Sequence, residues 1–255
     1  MQPHQFHQRR TDAATDTARA DPNESPPELP SLDGVSQRLV VEDERRPTRI
    51  LQALVLDHAL TTSGEVVWVD AANHANAASL TRLSPSRRIL RRIHVARAFT
   101  PYQHFELATT LRENIASLGI EPSLIVCPVL DALYDTDEVS DKVGPTLLAR
   151  SVATVKQVAR EYDASVLVTH LGDPQSSEYA DLVASAIPTT LHCEQTRFGP
   201  RFTGEEFETL VYPDATGMQT TLAFWRQVLA HRATMAGVAV EPATPMQGVM
   251  ANGPQ

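Results

Sequence analysis

Four short apolar runs constrain the fold more than any other feature of the chain. They are Val66-Val67-Trp68-Val69-Asp70, Ile93-His94-Val95-Ala96-Arg97-Ala98-Phe99, Leu124-Ile125-Val126-Cys127-Pro128 and Ser165-Val166-Leu167-Val168-Thr169-His170. The runs are separated by segments with helical spacing. A strand that is apolar at successive positions is buried on both faces, and strands joined through helices run parallel. The pattern therefore predicts a mostly parallel, twisted sheet with helices on both faces, an α/β fold. A chain of 255 residues is long enough for one such domain with a full core.

The rest of the chain fits around these runs. Gln37 to Val41 reads as a first strand, and a helix follows from Thr48 with Ile50, Leu51, Leu54, Val55 and His58 on one face. Ser84-Pro85 reads as an N-cap with proline at the first helical position, opening an arginine-rich helix. One helix is expected over 102–118, stopped by Gly119, and another over 145–162 with Leu148, Val152 and Val155 toward the sheet. The runs 189–193, 207–212 and 219–225 alternate like strands and are expected as antiparallel additions. Residues 1–34 and 237–255 are expected as disordered tails around a single domain over 35–236.

Composition excludes several functions. The formal charge of −9 gives no electrostatic bias toward nucleic acid, and Lys142 and Lys156 are the only lysines. Low lysine beside excess acid fits a high-GC or salt-loving source. Cys127 and Cys193 lie in apolar runs and read as buried thiols of a reducing compartment. No apolar run approaches the length of a membrane span, and the polar start is not a signal peptide, so a cytoplasmic protein without a membrane partner is expected. His192-Cys193-Glu194 has the composition of a ligand cluster, but adjacent strand residues point to opposite faces. His4 and His7 are a weak metal signal. No metal or cofactor is expected.

The order and wording of the runs resemble the ATPase core of the RecA/RadA recombinase family over residues 38–225. The resemblance is carried by Trp68-Val69-Asp70, by Ile93-His94-Val95-Ala96-Arg97-Ala98-Phe99 and by Tyr162-Asp163-Ala164-Ser165-Val166-Leu167-Val168-Thr169. The second of these is similar to a strand of archaeal-type recombinases and their paralogues. The resemblance implies a RecA-like P-loop NTPase core, and the chain looks like a degenerate RadA paralogue lacking the P-loop. With only the polar segment 1–34 ahead of the core, no counterpart of the family's N-terminal helical domain is expected.

Such an ATPase needs a glycine-rich loop whose amides cradle phosphates, a lysine reaching the outer ones and a hydroxyl on magnesium. The matching position holds Glu42-Asp43-Glu44-Arg45-Arg46-Pro47-Thr48-Arg49. Three acids repel a triphosphate, and Pro47 removes an amide donor. The resemblance also puts Pro128 where a metal-linked Asp normally stands, with Asp131 as a displaced acid, and Ala72 at the water-activating Glu. His170 stands where the family carries a polar sensor. These substitutions speak against an enzyme.

In the same layout the loops over 135–141 and 172–178 face single-stranded DNA, but both are acidic here, which opposes phosphate binding. Positive charge collects instead at Arg82, Arg87, Arg88, Arg91, Arg92 and Arg97. Of these, Arg87, Arg88, Arg91 and Arg92 share a face if the segment is helical. A second basic and aromatic element, Arg197-Phe198-Gly199-Pro200-Arg201-Phe202, is expected as a hairpin loop. These arginines are the candidates for contact with nucleic acid or an acidic partner. Phe105-Glu106-Leu107-Ala108 matches the Phe-x-x-Ala pattern by which recombinases join, but the motif is short enough to arise by chance.

The expectation is a non-catalytic RadA-like paralogue that assists recombination or repair through a RadA-type recombinase, another repair protein or DNA. The alternative is a regulatory RecA-like pseudo-ATPase of a signalling pathway, resembling the circadian-clock and gas-vesicle branch. An ATPase with a diverged phosphate loop is a third reading, opposed by the acids at 42–44.

Overall fold

The computed structural model of the protein describes residues 29–41, 47–71, 73–196, 199–205, 207–210 and 222–242. Its centre is an eight-stranded sheet built from β1 (Ser36–Val41), β2 (Glu65–Ala71), β3 (Ile93–Ala98), β4 (Pro122–Cys127), β5 (Ser165–Val168), β6 (Thr190–Thr196), β7 (Gly199–Thr203) and β8 (Glu208–Leu210). The order is β3-β2-β4-β5-β1-β6-β7-β8. Strands β1 to β6 are joined by parallel pairings; β7 is antiparallel to β6, and β8 to β7.

The apolar runs are continuous because both faces of the central strands are covered. Val66, Trp68, Leu124, Val126 and Leu167 point to one side, where they meet α1 (Pro47–Thr61), α2 (Ala77–Leu83), α3 (Arg87–Leu90) and α8 (Leu222–Met235). Val67, Val69, Ile125, Val166 and Val168 point to the other, against α4 (Pro101–Thr109), α5 (Leu111–Leu118), α6 (Gly144–Glu161) and α7 (Glu178–Ala186). The period of two in side-chain direction thus splits the runs of β2, β4 and β5 between two cores, whereas the run of β3, at the edge of the sheet, leaves Val95 and Phe99 exposed, against the two-sided burial expected of it.

The structure corrects several expectations. The helix over 102–118 is two helices, because Thr110 leaves helical geometry (φ −95°, ψ 5°) and its hydroxyl bonds back to the Glu106 carbonyl. Gly119, at φ 62°, ends α5 as expected. Of the strand-like run over 219–225, Leu222 to Trp225 open α8 instead, and 219–221 lie outside the described residues. There Trp225, Val228, Leu229 and Ala233 are buried at helical spacing, which a short window of alternation cannot reveal. Ser84 is the C-cap of α2, and Ser86 caps α3 by accepting from the Arg88 amide. Leu29 and Leu32, which composition assigns to the N-terminal tail, are buried in the core. Past Gly237, Glu241 accepts from the Arg87 amide at 2.9 Å and the Ser86 hydroxyl at 3.2 Å. Residues 1–28 and 243–255 of the expected tails lie outside the described ones. Among the described residues, no helix is long and apolar enough to cross a membrane.

Candidate functional site at the carboxyl edge of the sheet

In an open α/β sheet, ligands bind beyond the carboxyl ends of the strands where neighbouring connections depart to opposite faces. Strands β1 and β5 are such neighbours: β1 leads to α1 on one face and β5 to α7 on the other. Glu42 and Asp43, between β1 and α1, lie outside the described residues, as does Ala72. Pro47, Thr48 and Arg49 form the first turn of α1.

The Thr48 hydroxyl is bonded to His74 Nδ1 at 2.9 Å. Gln52 donates to the His74 carbonyl at 2.8 Å and accepts from the Ser79 hydroxyl at 2.6 Å. The start of α1 is therefore fastened to the loop after β2. Burial lowers the His74 pKa, against the opposing charge of Asp70. Asp70 is fully buried: one oxygen accepts from the Ala75 amide at 3.0 Å, the other from Arg97 Nε at 2.8 Å. Arg97 also reaches the Ala75 carbonyl at 3.1 Å. Arg97, one of the arginines that stand out in sequence, is thus brought to this edge.

A second set of bonds joins the loops after β4 and β5. Val129 lies at φ 40°, in the left-handed region that a β-branched residue seldom occupies. It is held there by the Thr169 hydroxyl, which accepts the Val129 amide at 2.8 Å. Two residues on, the buried Asp131 carboxylate accepts from the Leu171 amide at 2.7 Å and the Gly172 amide at 2.9 Å. Asp131 therefore clasps one loop to the other. His170 lies between Arg38 Nη1 (2.9 Å) and the Gly172 carbonyl (2.7 Å). A guanidinium only donates, so Nε2 is the acceptor and Nδ1 carries the proton given to Gly172. Nothing in local spacing singles out Arg38, Gln52 or His74, since their partners lie 22 to 152 residues away.

The other candidate residues are scattered. α3 is only four residues long, so the four arginines do not form one helical face. Arg87, Arg88 and Arg91 are exposed at the amino edge of the sheet, with Arg87 3.8 Å from Glu241. Arg92 turns inward and donates to the carbonyls of Ala59 (2.6 Å), Thr62 (2.9 Å) and Gly64, closing the end of α1. Arg197 lies outside the described residues. Arg201 is on strand β7 rather than in a loop, and pairs across strands with Glu194 and with Glu208 at 3.5 Å. Phe202 alternates inward and packs edge-on against Trp225.

His192 is exposed and Cys193 buried, and among the described residues no group of three or more His, Cys, Asp or Glu is placed to hold a metal ion. Burial pushes the Cys127 thiol up to about 12, which leaves it unreactive. His4 and His7 lie outside the described residues.

No protein-family model matches the chain, and no curated protein matches it.

Proposed function

We propose that the chain is a RecA-like domain of the archaeal recombinase type that has lost ATP hydrolysis. In this reading it is a cytoplasmic protein that assists DNA recombination or repair by binding a RadA-type recombinase or another repair protein. The family part rests on the resemblance in β2, β3 and β5, and the strand order is compatible with it. The observation that carries the loss of catalysis is the engagement of polar groups at the carboxyl edge. Thr48 is bonded to His74, Asp70 to Arg97 and the Ala75 amide, and Asp131 to two loop amides. Groups bonded in this way are not presented to a magnesium-bound triphosphate, which needs open amides, a lysine and a free carboxylate.

Two titrations test the reading. Calorimetry with Mg·ATP is expected to give no binding at millimolar nucleotide; micromolar affinity would sink the pseudo-ATPase assignment. Analytical ultracentrifugation with a purified RadA-type recombinase is expected to give a complex. If no complex forms and nucleotide also fails to bind, the regulatory reading outside recombination takes its place.

A further inference from the structure

Leu171 is 74 % exposed, more than any other large hydrophobic side chain among the described residues. Its backbone is nonetheless fixed. Its amide and the next are held by Asp131, and the preceding His170 ring is held by Arg38 and Gly172. Gly172 seats this loop against the first turn of α7, where an added Cβ would lie 2.8 Å from Ser177 Cβ and 3.3 Å from Ala180 Cβ. On the same turn, half-buried Tyr179 sets its hydroxyl against Gly144, 2.5 Å from where a Cβ would be. Beside Gly144, Val143 is 40 % exposed. Gly172 and Gly144, the neighbours of Leu171 and Val143, thus pack against the same turn of α7, and we take the two exposed side chains and Tyr179 together as an apolar ridge.

Acids surround the ridge. Burial raises the Tyr179 pKa, and the charges of Asp135, Asp141 and Glu178 raise it further, so carboxylates from both sides face this ring. Among the described residues these three acids take part in no ion pair, and over 135–143 and 171–178 Lys142 is the single cation against Asp135, Asp137, Glu138, Asp141, Asp173 and Glu178. Such a rim repels phosphate and attracts lysine and arginine. An apolar ridge on a fixed backbone loses little entropy when covered.

We propose that this ridge and its acidic rim are a docking surface for a basic amphipathic segment of a partner protein. The proposal deepens the partner-binding reading above and rests on it.

The test uses the full chain and fluorescence anisotropy of a labelled Leu/Lys amphipathic peptide, with a Ser/Lys peptide of equal charge as control. Leu171→Ser, which removes only an exposed side chain, is expected to weaken Leu/Lys binding about ten-fold with the circular dichroism unchanged. Glu178→Lys is expected to weaken both peptides. Equal Leu/Lys binding by wild type and Leu171→Ser would overturn the proposal, as would equal affinity for the two peptides. Labelled single-stranded DNA that bound wild type and was lost in Leu171→Ser would overturn it in favour of nucleic acid. Mg·ATP binding in the same samples would count against the pseudo-ATPase reading while leaving the peptide result standing.

Discussion

His104 shows how far one residue can carry a pH dependence. It is fully buried, its Nδ1 lies 2.7 Å from the Tyr134 hydroxyl, and burial pushes its pKa down to about 4. The unfolded chain takes up this proton near pH 6.5, well before the folded one does. Stability is therefore complete above about pH 6.5 and falls as pH drops toward 4, by about 3 kcal/mol over the window. Urea unfolding at neutral and acid pH should show the loss, and His104→Leu should flatten it. The Asp57–Arg232 pair, bonded at 2.6 and 2.8 Å between α1 and α8, gives a second expectation. Arg232→Ala leaves a carboxylate buried without its partner and should cost about 3–5 kcal/mol in the same assay.

At the scale of elements, the clasp between the loops after β4 and β5 depends on one side chain. Asp131→Ala removes the acceptor for two amides and should cost about 2–4 kcal/mol. Hydrogen exchange should rise at Leu171 and Gly172 far more than in β4 itself. The same region shows what the sequence can and cannot reveal. The strands and α6 are legible because their signal is local: a period of two or of 3.6 within one window. The break at Thr110 and the helical start at Leu222 are not, because the first is a change of backbone angle at one residue and the second goes with the packing of Phe224 and Trp225. Positions just past the strands, such as Thr48 at the start of α1 and Asp131 in the loop after β4, can be located from the runs. Their occupation cannot, because it depends on His74 and on amides some 40 residues away.

For the molecule as a whole, the domain begins earlier than its composition indicates. Leu32 is 3 % exposed and shares a core with Leu39 and Trp225, so the segment ahead of β1 is part of the folded unit. A chain starting at residue 29 should unfold with the full-length midpoint. Leu32→Ala should lower stability by about 2–4 kcal/mol, with a single cooperative transition. Charge is also unevenly distributed over the molecule. Arg87, Arg88 and Arg91 lie exposed at the amino edge, and Asp135, Asp141 and Glu178 at the carboxyl edge.

The position of β1 has a consequence for how the protein is made. It is the first strand in the chain but the fifth in the sheet. It pairs with β5 through Ser36 to Arg38 and with β6 through Arg38 to Val41. Neither neighbour exists until residues 165 to 193 have been synthesised. At ribosomal speeds of about 5–20 residues per second, β1 waits roughly 6 to 30 seconds with the backbone amides and carbonyls of its edges unpaired. β2, β3 and β4 are adjacent in the sheet and complete one another's pairing sooner, so they form the part of the sheet that can assemble on the ribosome while β1 is still waiting.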